Sequence, residues 1–95
     1  MAKVTVQDEQ EEERGWSYEV TLRRDDGRET THRISLSWAD HEYWTGGATP
    51  PSQIVERLAQ IALAREADRE IPERFDAATA RLWWKDLDDV LREKL

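Results

Sequence analysis

Polar and apolar residues alternate through much of the first 36 residues, which is the pattern of half-buried β-strands. The clearest run covers residues 16–23, whose apolar side chains would share one face: Trp16, Tyr18, Val20 and Leu22. Residues 29–36 alternate in the same way, and residues 3–6 predict a shorter strand. Between the two longer strands, Asp25-Asp26-Gly27 predicts a hairpin turn, because glycine adopts positive φ without steric cost.

Helical signals begin at Ser37, a residue type that caps helix N-termini. We expect a short helix over residues 38–44, ended by Gly46-Gly47. A second, amphipathic helix is predicted from Thr49-Pro50-Pro51 to about residue 66, because threonine can cap a helix and proline suits its first turn.

A last helical region follows Phe75-Asp76, in which Asp76 predicts an N-cap. This region is either one helix to residue 93 or two helices with a kink near Lys85. Strands therefore come first and helices second, an order typical of the α+β class. We predict a single domain over residues 1–95, built from a three-stranded antiparallel sheet followed by two or three packed helices.

Acidic residues are concentrated in residues 8–13, where five of six positions are Asp or Glu. Like charges so close repel one another, so this segment is predicted to be a solvated loop before the second strand. The whole chain is acidic, with a net charge of −7, which disfavours contact with nucleic-acid phosphates. Its five tryptophans predict a core built largely from aromatic side chains, because there is only one Phe.

Candidate chemistry is sparse in this sequence. The chain has no cysteine, which excludes disulfides, thiolate metal sites and a cysteine nucleophile. His32 lies on the apolar face of a predicted strand, where a hydrogen-bonded core or edge histidine is expected. Asp40, His41 and Glu42 are consecutive, and consecutive helical residues cannot converge on one metal ion. Gly46-Gly47 lacks the spacing of a phosphate loop. We therefore predict no catalytic, cofactor-binding or metal-binding residues, and a protein that is not an enzyme.

Targeting and membrane-spanning segments are not expected. The N-terminal residues turn polar at once, unlike a signal peptide. No apolar run approaches the ~18 residues that a membrane span needs. These features predict a cytoplasmic protein without a membrane partner.

Three segments have a recognisable order and spacing: residues 32–47 with Thr45-Gly46-Gly47, the amphipathic stretch 51–66, and Arg74-Phe75-Asp76 followed by Trp83-Trp84. Together they resemble a family of short bacterial proteins that carries no known activity. The resemblance covers about residues 32–91 and implies a bacterial, cytoplasmic, single-domain protein. Lys85 departs from the family pattern, which often has proline after the aromatic pair.

Because the sequence shows no catalytic, cofactor-binding or metal-binding pattern, binding is the expected function. We predict a small non-enzymatic protein-binding or regulatory module. The predicted contact residues are the acidic Glu11, Glu12 and Glu13 together with Trp84. Acidic residues steer a basic partner, and an exposed tryptophan is a favoured interface anchor. The expected partner is another protein, or a second copy of the chain paired through a sheet edge or Trp84.

The alternative is a nucleic-acid-binding module. It would use the arginines on or near the predicted hairpin, which are Arg23, Arg24, Arg28 and Arg33. A small sheet can enter a DNA major groove. Glu19 and Glu29 dilute this basic patch, so nucleic acid is the less favoured partner.

Overall fold

A computed structural model describes residues 2–93, which form an α+β fold, as predicted. One face of a four-stranded sheet packs against four helices, and the core lies between them. The elements in chain order are β1 (Lys3–Glu12), β2 (Gly15–Arg23), β3 (Glu29–Ser37), α1 (Trp38–Thr45), α2 (Pro51–Ala64), β4 (Arg74–Asp76), α3 (Ala77–Trp83) and α4 (Leu87–Glu93).

The sheet differs from the predicted three antiparallel strands, because it is mixed and has a fourth strand. The strand order is β1-β2-β3-β4, and β4 runs parallel to β3. In this pairing Ile34 lies opposite Phe75, and the Arg33 N–H donates to the Glu73 carbonyl at 2.8 Å. A three-residue strand with one apolar residue has no readable periodicity, so the sequence pattern did not reveal it.

The prediction of an acidic loop over residues 8–13 is wrong. β1 continues through this segment to Glu12 and pairs with β2, with a bulge between Gln7 and Gln10. Asp8 within the bulge has φ of 54°. The like charges are tolerated because β1 is an edge strand, and successive side chains point to opposite faces into solvent.

The hairpin between β2 and β3 is confirmed, with Arg23 paired to Glu29 and Gly27 at φ of 88°. The turn from β1 to β2 is tighter, because Glu12 pairs directly with Gly15. A Cβ atom at Gly15 would lie 2.1 Å from the Leu36 carbonyl oxygen. Only glycine therefore allows β2 and β3 to approach this closely at their paired ends.

The core is mainly aliphatic, contrary to the predicted aromatic core. Of the five tryptophans only Trp44 is buried; Trp16, Trp83 and Trp84 are partly buried and Trp38 is exposed. Branched aliphatic side chains from β2, β3, α2 and α4 fill the space instead. The long stripe on α2 supplies Ile54, Val55, Leu58, Ala59, Ile61 and Ala62.

Helix boundaries follow the sequence signals with two differences. Ser37 caps α1 by accepting a hydrogen bond from the Asp40 N–H at 3.1 Å, and Asp76 caps α3 in the same way. Thr49 does not cap α2, whose N-cap position is Pro50 and which ends at Ala64. The last helical region is two helices, broken between Trp83 and Leu87.

His32 is a buried, hydrogen-bonded core histidine, as predicted. Its Nδ1 lies 2.7 Å from the carbonyl oxygen of Pro72, which can only accept, so Nδ1 carries the donated proton. Its Nε2 lies 2.7 Å from the hydroxyl of Thr30. The oxygen of this hydroxyl accepts a hydrogen bond from Arg24. Arg24 is in turn paired with Glu66 after α2. This chain of contacts fixes the hairpin end to the segment that leads into β4.

We expect Gly15→Ala to destabilise the fold by about 3 kcal/mol, because the new methyl group would overlap the backbone of β3. Gly27→Ala is the matched control: its position has positive φ but open space around it, so a cost of about 1–2 kcal/mol is expected. Urea unfolding followed by circular dichroism measures both. Equal costs for the two variants would contradict the close approach at Gly15.

Candidate functional site

Within the acidic run, the two carboxylates at the bulge in β1 form hydrogen bonds with other side chains. Asp8 accepts a hydrogen bond from Arg33 Nη1 at 2.9 Å, and its backbone carbonyl accepts another from Nη2 at 2.9 Å. Glu9 accepts from the hydroxyl of Tyr18. Burial raises the pKa of the Tyr18 hydroxyl far above its ordinary value, and the bond to Glu9 raises it further. Asp8 and Glu9 are therefore part of the folded framework.

The next three acids are exposed. Within residues 2–93, neither a hydrogen-bond partner nor an ion-pair partner is found for the side chains of Glu11, Glu12 and Glu13. Glu11 pairs across the strands with Trp16 and shares its side of the sheet. Glu12 faces the other way, into a shallow hollow of about 290 Å³ that Arg33 also lines. Negative charge is thus presented on both sides of the same strand.

An exposed tryptophan lies at the same end of the sheet. The Trp38 N–H donates to the carbonyl of Arg14 at 2.8 Å, which ties the start of α1 to the β1–β2 turn. The Trp38 side chain is 49% exposed. We define the acidic end as Glu11, Glu12, Glu13 and Trp38. Trp38 was not predicted as a contact residue, because all five tryptophans were expected to supply the core. A signal was available in its position directly after the Ser37 cap, where it joins no buried stripe of α1.

Trp84, the other predicted contact residue, is half-buried and lies elsewhere. Its ring packs edge-on against Trp83 at 5.6 Å between centroids, and the guanidinium of Arg65 lies 5.5 Å from its centre. It lines a hollow of about 330 Å³ with Leu82 and Lys85, and none of the three glutamates lines that hollow. The structure therefore does not bring Trp84 together with the acidic end.

Arg81 organises the contact between α1, α3 and α4. It pairs with Asp40 at 3.3 Å and with Asp88 at 3.0 Å, and it lies 4.6 Å from the centre of the Tyr43 ring. Asp88 also accepts from Trp44 Nε1 at 2.7 Å. Burial alone would raise the pKa of Asp88, but the hydrogen bonds from Trp44 and Arg81 outweigh this effect and lower it. These charged groups hold helices together.

Three of the four arginines that a nucleic-acid-binding hairpin would use form ion pairs within the chain. Arg24 and Arg28 both pair with Glu66. Arg33 donates to Ser17 as well as to Asp8 and is largely buried. Arg23, at the end of β2, is exposed. A phosphate backbone would have to compete with these internal carboxylates, which disfavours the hairpin as a nucleic-acid surface.

Residues 2–93 contain neither a metal-binding cluster nor a membrane-spanning helix. No group of three or more His, Cys, Asp or Glu side chains in this range is arranged to hold a metal ion. None of the helices formed by these residues combines the length and apolarity needed to cross a membrane.

Comparisons with known proteins found no matching protein-family model, no matching curated protein and no matching solved structure.

We expect the stability of the fold to fall as the pH drops below about 4, where carboxylates protonate. Hydrogen bonds from Arg24 and Arg65 lower the pKa of Glu66 and Asp86 below their ordinary values of 4.5 and 3.8. A carboxylate whose pKa is lowered by folding stabilises fully above its ordinary pKa. That contribution is lost as the pH falls through the lowered value.

Asp88→Asn tests this pH dependence at one residue. The variant should be less stable than the native protein at pH 7, and the two free energies of unfolding should converge in acid. Glu70→Gln, at an exposed position, is the control and should leave the pH profile unchanged. Urea unfolding over a pH series measures the difference, and parallel profiles for Asp88→Asn and native protein would contradict it.

Proposed function

We propose that the protein is a small non-enzymatic protein-binding module whose partner carries a basic surface. The observation that carries this proposal is the acidic end, where three carboxylates without a partner in residues 2–93 lie at the same end of the sheet as an exposed tryptophan. Charge of one sign on an exposed edge speeds the encounter with an oppositely charged partner. The aromatic ring supplies apolar contact area once the partner has arrived.

The distribution of the other charges supports binding over catalysis. Several ionisable groups within residues 2–93 form ion pairs that join elements, as in Arg65 with Asp86 and Arg81 with Asp88. The hollow beside the acidic end has a volume of about 270 Å³ and is lined by Glu12, Arg14 and Asp76. The carboxylate of Asp76 already accepts hydrogen bonds from the Ser35 hydroxyl and from the Ala78 N–H at the N-terminus of α3.

Proteins captured from host lysate by the native chain should be lost when the acidic end is neutralised. The test variant combines Glu11→Gln, Glu12→Gln and Glu13→Gln. The control variant combines Glu29→Gln, Asp68→Asn and Glu70→Gln, which changes net charge equally at exposed positions elsewhere. We expect about tenfold weaker recovery with the test variant, since an exposed ion pair contributes about 0.2–1 kcal/mol.

The variants Trp38→Ala and Trp84→Ala distinguish a contribution to binding from a contribution to stability. Trp38→Ala should weaken capture without changing the free energy of unfolding, whereas Trp84→Ala should reduce stability because its ring packs on Trp83 and Arg65. Quantitative mass spectrometry and urea unfolding provide the two measurements. Equal recovery with the test and control charge variants would rule out the acidic end as the binding surface.

A further inference from the structure

The outer edge of β1 is open along its length. β1 is the terminal strand of the sheet order, and no strand in residues 2–93 pairs with its outer side. Alternate residues of an edge strand direct their N–H and C=O groups away from the sheet. The opposite edge is β4, which has only three residues. β1, with ten residues, is the edge long enough to receive an added strand.

The edge has two chemically different halves, which meet at the bulge. In the first half Val4 and Val6 are half-buried on the helix side, alternating with exposed Lys3, Thr5 and Gln7. Both valines pack on the core, and α2 contacts this strand. The shallow hollow of about 360 Å³ near its start is mostly charged, since Arg24, Asp25, Asp26 and Glu66 line it together with Ala2 and Leu63. An added strand beside Val4 and Val6 would bury its own side chains at alternate positions, and these positions suit apolar residues.

The second half carries acids on both faces in succession. Glu11 lies on the side of Trp16 and Glu12 on the side of Arg33, while Glu13 follows in the turn. A neighbouring strand presents successive side chains to opposite faces. Opposite charge on both faces therefore requires consecutive basic residues in the added strand. Alternating basic residues would satisfy one face only.

We propose that β1 binds an extended segment of a partner protein by strand addition, antiparallel to β1. The segment would carry consecutive basic residues beside Glu11, Glu12 and Glu13, followed by alternating apolar residues beside Val4 and Val6. This inference rests on the proposed function and specifies its mode of binding. Main-chain hydrogen bonds would supply affinity, and the side-chain pattern would supply specificity.

A second copy of the chain fits the edge less well. Each copy has a net charge of −7 and brings the same acidic run, and β1 contains only Lys3 as an opposite charge. A run of acids on an edge strand is a feature that opposes edge-to-edge pairing between copies. The charge pattern therefore selects a basic segment of a different protein.

A synthetic ten-residue peptide with four consecutive basic residues followed by alternating valine and threonine provides the probe. Calorimetric titration at low salt should detect binding, and amide hydrogens on the outer side of β1 should exchange more slowly in the complex. N-methylation of the alternate peptide residues that face β1 should weaken binding at least about tenfold, because each methyl group removes an N–H donor to β1. N-methylation of the residues that face away is the matched control and should have little effect.

Two further arms locate the contact. The variant with Glu11→Gln, Glu12→Gln and Glu13→Gln should bind the peptide about tenfold more weakly. A peptide of the same composition with its basic residues spaced alternately should also bind more weakly than the consecutive one. The protein alone should sediment as a monomer at the concentrations used.

Several outcomes would overturn strand addition. One such outcome is that both N-methylation patterns weaken binding equally while the charge variant still binds the peptide more weakly. The acidic end would then be a binding surface to which no strand is added. Absence of peptide binding at low salt would reject the proposed segment. A dimer that Val4→Lys/Val6→Lys dissociates would assign the edge to a second copy.

Discussion

Burial of a single apolar sheet face under short helices is the constraint on which the fold depends. Tyr18, Val20 and Leu22 of β2 are at most 1% exposed, so β2 requires both a neighbouring strand on each side and a helix layer above. The helices depend equally on the sheet. α1 has eight residues and α3 and α4 have seven each, and isolated helices below about 12–15 residues are marginal in water.

Arginine ion pairs then decide which segments meet. Arg24 joins the hairpin to the end of α2, Arg33 joins β3 to β1, and Arg81 joins α3 to α1 and α4. In each of these pairs at least one side chain is mostly covered, and the pair holds two segments of the chain at a set spacing. Their consequence for function is a redistribution of charge. Most of the hairpin's positive charge is used internally, which leaves negative charge unneutralised at the end of β1.

The bulge in β1 connects the fold to the proposed binding surface. One additional residue at Asp8-Glu9 directs Asp8 to Arg33 and Glu9 to Tyr18, and the strand then continues with Glu11 and Glu12 on opposite faces. The same residue run would act differently as a flexible loop, because its charges would have no fixed spacing. Held in a strand, they have the fixed spacing on which the proposed binding mode depends.

The sequence by itself determined the elements with strong local signals. The hairpin around Gly27, the Ser37 cap and the stripe of α2 were all readable because each depends on residues close in the chain. Glu11, Glu12 and Glu13 were also identified as candidates from charge alone. Only the tertiary structure decided that the acidic run is an edge strand, that Phe75 lies in a parallel strand and that Trp38 is exposed while Trp84 is half-buried. These outcomes depend on contacts between residues distant in sequence, where pairing and burial override local charge and propensity.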